Sequence, residues 1–184
     1  MGLKIKNYII LLLVLNFAHK TISQNKYITR EGQITFESEI ETFEPIKATQ
    51  NSVTAVLNAD TGEIAVLALV KGFRFKNALM EEHFNENYAE SDLFPKTTFK
   101  GKIKDFKMDS GNSNHFISGT INFHGVNKNF DNIPVVVNIK DSEVILKGTF
   151  ITPVKDFDIK IPKIVSKKIA SDINISFELK LQKK

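Results

Sequence analysis

The sequence predicts an all-β fold: about eight antiparallel strands closed into a barrel, with one short amphipathic helix inserted. Three observations carry this. Apolar and polar residues alternate with a period of two through most of the chain. Short turn signals rich in Gly, Asn and Asp separate these runs. No series of helical patterns alternates with them, which argues against a parallel α/β sheet.

The first 23 residues stand apart. Lys4 and Lys6 precede an apolar run from Tyr8 to Ala18, and Thr21-Ile22-Ser23 places small residues where a signal peptidase reads. This is the pattern of a secretory signal peptide, and the run falls short of the roughly 20 residues a spanning helix needs. The reading predicts a mature domain over 24–184, periplasmic or secreted, with no stable membrane span after processing. No Cys follows the apolar run, so a lipid-anchored lipoprotein is excluded. Cleavage removes three lysines and no acid, leaving 22 basic residues (of 25 Lys and Arg) against 21 acidic, a net charge of +1. The bases are scattered among acids, so a nucleic-acid partner is not expected. An exported chain without cysteine has no disulfides to lean on, and about 160 residues bury enough surface to fold without them.

The strands follow in order. Ile34, Phe36 and Ser38 alternate with Thr35, Glu37 and Glu39; further strands are predicted over 51–59 and 63–70, joined by Asp60-Thr61-Gly62. Phe99, Gly101 and Ile103 alternate with Lys100, Lys102 and Lys104. After Asp109-Ser110-Gly111-Asn112 come strands over 116–123, 134–140 and 143–151, with turns at His124-Gly125-Val126-Asn127 and Asp141-Ser142. The last strand is the clearest: Ile173, Ile175, Phe177, Leu179 and Leu181 against five polar residues. Between the third and fourth strands, Asn77 to Tyr88 follows a helical period instead. Leu79, Met80, His83, Phe84 and Tyr88 fall on one face, Asn77 is placed to cap the start, and Pro95 prevents continuation. Such a helix can plug or cover one end of a barrel.

Closure follows from the edges. An open eight-stranded sheet leaves two edges that invite pairing with other chains, whereas a closed one has none and encloses side chains or one small ligand. Gly101, Gly119 and Gly148 fall inside strand patterns, consistent with bends around a small barrel. Residues 63–70 (EIAVLALV) are apolar on both faces. The outer face requires a cover, and a homodimer is one expectation.

Catalytic constellations are not found. The mature chain has His83, His115 and His124, none at metal-ligand spacing to another, and no Cys. His83 is read as packed or capping, His115 as solvated, and His124, at the start of a turn, as placed to bond the backbone. No Gly-x-Ser-x-Gly elbow or phosphate-binding Gly loop occurs, and Glu81, Glu82 and Glu86 read as a solvated face. No enzyme, cofactor or metal is expected. The composition has one oddity, 15 Phe with no Trp. Phe supplies large apolar area without a polar atom, which suits a dry core and an apolar cavity equally.

Three strings give more. Phe75 to Ile103 (FKNALMEEHFNENYAESDLFPKTTFKGKI), Gly119 to Lys128 (GTINFHGVNK) and Phe157 to Ile169 (FDIKIPKIVSKKI) occur in that order. Together they resemble the YceI-like family, in the branch common in exported proteins of Bacteroidetes-type bacteria. At Glu31-Gly32-Gln33-Ile34 the chain departs from a better-known branch, which carries a His-Ser motif there. The resemblance implies an extended lipocalin-like barrel with a long apolar pocket, binding of polyisoprenoid or similar long-chain amphiphiles, and no catalytic residues. On that basis a long-chain isoprenoid or acyl lipid is expected inside. The candidate lining comes from the apolar strand faces: Phe36, Val66, Phe99, Ile103, Phe123, Phe150, Ile175 and Phe177. The alternative is an envelope interaction module whose barrel is filled by its own side chains.

Overall fold

The computed structural model describes residues 25–38, 45–163 and 170–184, so the signal-peptide segment lies outside the described residues. Among the described residues nine strands form: β1 (Lys26–Ser38), β2 (Ile46–Asn58), β3 (Glu63–Leu69), β4 (Arg74–Phe75), β5 (Lys96–Ile103), β6 (Gly111–Phe123), β7 (Val126–Lys140), β8 (Glu143–Pro153) and β9 (Asp172–Lys183). Their order is β1-β9-β8-β7-β6-β5-β3-β2, and β2 pairs back onto β1. Every pairing is antiparallel, and eight long strands close into a barrel.

The ninth strand is a continuation rather than an addition. After β3 the chain makes one 3-10 turn at Val70–Gly72, and β4 resumes the pairing with β2 through Ala48↔Phe75 and Thr49↔Arg74. Gln50 of β2 fills the gap so created. Its Nε2 donates to the Leu69 carbonyl and its Oε1 accepts the Ser52 N–H, so this buried amide is satisfied at both ends.

Turn chemistry matches the sequence. At the β6–β7 hairpin His124 and Gly125 both have positive φ, 49° and 76°, the two-residue geometry whose twist suits paired strands. The β7–β8 hairpin turns through Asp141 and Ser142, and β2–β3 through Asp60 to Gly62. On β7 a bulge with Asn132 at φ 57° interrupts the register, and Pro134, which has no N–H to give, follows it. The β7–β8 pairing accordingly stops at Val135↔Gly148, while β8 stays paired with β9 as far as Pro153↔Asp172.

The predicted helix exists but is split. Helix α1 spans Ala78–His83, with Asn77 accepting the Leu79 N–H as its N-cap, and a π turn at Phe84–Tyr88 follows. Leu79, assigned to the apolar face, is instead 57% exposed. The wider π turn changes the angular spacing, so Met80, Phe84 and Tyr88 face inward without it. His115 also departs from the reading as solvated: its Nδ1 lies 3.0 Å from the Lys104 carbonyl and its Nε2 3.0 Å from Ser113 Oγ. On β3 the inward residues are Ile64, Val66 and Ala68, leaving Leu67 half-buried and Leu69 53% exposed on the outer face. No helix among the described residues is long and apolar enough to cross a membrane.

Candidate binding cavity

The interior is filled at one end only. Around Tyr27, Leu57, Ile103, Val137, Ile139, Val144, Leu146 and Leu181 the inward side chains are closely packed, several with no exposed surface. Toward the other end these residues give way to a cavity of about 540 Å³, within the range typical of ligand sites. On β8 its lining runs from Leu146 to Thr152, about 20 Å of strand at roughly 3.3 Å per residue. The space is elongated, with its floor on Ile64, Ile117, Ile133, Leu146 and Leu179.

Phenylalanine builds the walls. Phe36, Phe99, Phe123, Phe150 and Phe177 come from five strands; Phe73, Phe75, Phe84 and Phe157 come from the segments that cover the open end. The first group is half-buried, because part of each ring faces the hollow. What keeps these rings from filling the space is visible at three glycines. A Cβ on Gly101 would lie 2.4 Å from Cζ of Phe99, and one on Gly119, its cross-strand partner, 2.6 Å from the same atom. A Cβ on Gly148 would lie 2.5 Å from Cζ of Phe177, again its cross-strand partner. The rings therefore lie along the wall, over bare backbone, and the lumen stays open. Glycine is required here for the close approach of a ring.

The cover is stitched from three places. Phe84 packs on Phe36 and Phe75 at 5.2 Å from each, and Phe73 stacks near Phe36 at 5.3 Å. Glu81 of α1 takes Arg74 Nη1 at 2.7 Å on one oxygen and the Phe75 N–H on the other. On the far side His124 joins the cover to the barrel: Nδ1 is 3.0 Å from the Phe157 carbonyl and Nε2 is 2.7 Å from Glu90 Oε2, with Phe94 edge-on at 4.7 Å. The segment after β8 thus closes over the place where β7 and β8 separate, helped by a Lys128–Asp156 ion pair at 2.9 Å and the Phe130–Phe150 contact at 5.2 Å.

Among the described residues the cavity lining holds no Lys, Arg, Asp or Glu. Its polar groups are Ser38, Thr97, Thr98, Thr152, His83 and Tyr88, which sit at the covered end. No three His, Cys, Asp or Glu side chains converge among the described residues. The surface offered is hydrocarbon with a polar rim, suited to binding a chain by area rather than by charge.

Of the eight residues chosen from strand alternation, Phe36, Val66, Phe99, Phe123, Phe150, Ile175 and Phe177 line this cavity. Ile103 does not: it is 0% exposed in the packed end, opposite Ile117. It shares a face with Phe99, but a two-residue period assigns the side of a sheet and not the height along a barrel. Alternation also passed over Phe73 and Phe75, although Phe73-Arg74-Phe75-Lys76 alternates in miniature. It also passed over Phe157, Ile159 and Ile161, which alternate with Asp158 and Lys160 but lie on a segment that pairs with no described strand.

A YceI-like domain model matches residues 14–181. Among solved structures, a polyisoprenoid-binding domain from Saccharophagus degradans, implicated in plant cell wall breakdown, superposes with a TM-score of 0.74 at 11% identity, covering 88% of this chain and all of that one. BcnA of Burkholderia cenocepacia gives 0.69 at 15% identity, over 81% of this chain and 95% of its own. The YceI protein of Campylobacter jejuni gives 0.64 at 14%, over 79% and 90%. These identities carry the fold alone. No curated protein sequence matches significantly. The closed antiparallel barrel, its cover and the matched domain model agree, and this chain belongs to the YceI-like family.

Proposed function

We propose that the protein is an exported, non-enzymatic carrier that sequesters a long-chain isoprenoid or a similar amphiphilic lipid inside its barrel. The observation that carries this is the cavity: about 540 Å³, elongated, walled by Phe and Ile, and free of charged lining among the described residues. Burial of hydrocarbon contributes roughly 0.8 kcal/mol per CH₂, so a long tail binds such a wall without any polar contact. The polyisoprenoid-binding domain with the same fold supports the choice of ligand class. The signal-like pattern of residues 1–23 supports a periplasmic or secreted location. A module with a filled barrel suits this interior less well, since the rings lie over glycine and leave the lumen open.

Organic extraction of protein purified from its host, followed by mass spectrometry, tests the reading. A long-chain lipid at near one per chain is expected; preparations that never carry one would overturn it. The same reading includes a second copy over the outward Leu67 and Leu69 of β3. Sedimentation that finds a monomer at all concentrations removes that part.

A further inference from the structure

His124 holds an acceptor at each of its ring nitrogens. Nδ1 lies 3.0 Å from the Phe157 carbonyl oxygen, and Nε2 lies 2.7 Å from Glu90 Oε2. A carbonyl only accepts, and so does an ionised carboxylate. Two bonds therefore need two hydrogens, and a neutral imidazole carries one. The second is an added proton, on the ring or shared with the carboxyl. Without it one nitrogen turns a lone pair toward an oxygen at hydrogen-bond distance. Solvent replaces the missing partner poorly, because the His124 side chain is 11% exposed and Phe94 sits edge-on at 4.7 Å.

Which bond gives way follows from the acceptors. A carboxylate accepts more strongly than an amide carbonyl, so a ring with one proton keeps Glu90 and releases Phe157. Phe157 ends the 3-10 turn Val154–Phe157, the stretch that lies over the separation of β7 and β8. Its ring lines the cavity and meets Phe123 edge-on at 5.7 Å. The charged groups on the elements packed around His124 are few. Beside Glu90 stands Asp92, paired with Lys71; the Phe157 segment carries Lys155, Asp156 and Asp158; β7 brings Lys128, which pairs with Asp156 at 2.9 Å. Carboxylates and ammonium groups ordinarily keep their charge between about pH 5 and 8, whereas imidazole ordinarily titrates there.

Resting on the carrier reading above, we propose that His124 is a proton-operated latch on the cavity. With both nitrogens protonated it clamps the Phe157 carbonyl and keeps the lipid in. When Nδ1 gives its proton to solvent that bond is lost, the 3-10 turn lifts, and the lipid leaves between β7 and β8. Two substitutions set the latch in opposite states. The amide of Glu90→Gln can donate to Nε2, so a neutral ring keeps both bonds and the latch stays shut at either pH. His124→Ala leaves it open at either pH.

Transfer of retinol, an uncharged fluorescent isoprenoid, from loaded protein to phosphatidylcholine vesicles reads the opening in stopped flow. The parent is expected to release it about five-fold faster at about pH 8 than at about pH 5, the effect of one hydrogen bond. Glu90→Gln should be slow at both, His124→Ala fast at both, and His115→Gln should respond as the parent does. A flat parent, or a Glu90→Gln protein that keeps the parental response, overturns the latch. Amide hydrogen exchange at Val154 and Asp158, whose N–H groups donate to the Ser171 and Lys155 carbonyls, gives a reading that needs no lipid. Corrected for the intrinsic rate, it should quicken by the same factor with pH in the parent and not in Glu90→Gln; no change in the parent overturns the latch. Protein that takes up no retinol at either pH counts against the carrier reading, and the amides then decide the latch alone.

Discussion

The same eight strands run through both ends of this barrel, yet they enclose different interiors. At the packed end the inward residues are Val, Ile, Leu and Ala, among them Val53, Ala55, Leu57, Val137, Val144 and Leu181, each buried to the last few per cent. At the hollow end they are Phe, with Ile between, half-buried around an open space. The difference is one of reach. Branched aliphatic side chains fill the space above their own backbone and interlock. A Phe ring extends two residues along its strand or across to its neighbour, and where a glycine waits there the ring lies down. Large side chains thus produce the emptier half, because their area is spread over the wall. One end supplies stability and the other binding surface, so the two should answer substitution differently.

The largest effect expected lies at the packed end. Leu181→Ala removes a side chain with no exposed surface and should cost about 2–5 kcal/mol, measured by urea denaturation. The matched change at the hollow end, Ile175→Ala, should cost about 1 kcal/mol or less, since its side chain already borders empty space. Equal losses at the two positions would break the division. Next in size is Gly148→Ala. The added methyl falls 2.5 Å from Cζ of Phe177 and 2.8 Å from the Pro134 carbonyl, so the ring must swing into the lumen. A destabilisation of about 1–3 kcal/mol is expected, together with a reduced lipid load in extracted protein. A variant that lost stability but kept its load would show that the ring's posture does not hold the cavity open.

How much of this was legible beforehand follows the same division. Alternation marks most of the strands and their inward faces because one side is apolar and the other is not. Ile173 to Leu181 shows this plainly, with Ile173, Ile175 and Phe177 on the cavity and Leu181 in the packed end. Residues 63–70, apolar on both sides, lack that cue. Depth along the barrel leaves no trace in a two-residue period, and Ile103 was misplaced for that reason alone. The strand glycines were noticed as bends; their service to Phe99 and Phe177 depends on cross-strand register, which is set by pairing partners far away in sequence. The cover was half readable. Asn77 and the helical face announced themselves, but the π turn and the run through Phe157, Ile159 and Ile161 owe their positions to tertiary contacts such as His124 with Glu90. His124 bonds backbone, as its place in a turn suggests, but the carbonyl it reaches lies 33 residues on, which no local pattern identifies.

That histidine supplies the third test, which concerns the hollow end only. His124→Ala removes the link among the β6–β7 turn, Glu90 and the Phe157 carbonyl, at the edge of the cover. A loss of about 1–2 kcal/mol is expected from two bonds that are partly screened by solvent. The sharper readout is kinetic. Bound lipid should exchange faster in stopped-flow displacement than in the parent, while Leu181→Ala protein, still folded at low temperature, should exchange at the parental rate relative to its affinity. Unchanged exchange in His124→Ala would mean that the cover does not govern access.

The smallest effect belongs to the outer face, which neither interior touches. Glu178 accepts from Lys147 at 3.0 Å and from Lys180 at 3.2 Å. The hydrogen bond from Lys147 holds its carboxyl below the usual value, partial burial opposes this, and Lys180 adds to the lowering. A carboxylate with a lowered folded-state pKa contributes stability at pH above its unfolded value and loses that contribution as pH falls through the folded one. Glu178→Gln should therefore differ from the parent only above the carboxylate range, and converge with it in acid. Exposed pairs of this kind contribute roughly 0–1 kcal/mol, and added salt should shrink the difference further. Lipid load and exchange should not move. If they did, the wall between β8 and β9 would be transmitting strain from its outer face to the rings of Phe150 and Phe177, and the two interiors would no longer be separable from the surface that carries them.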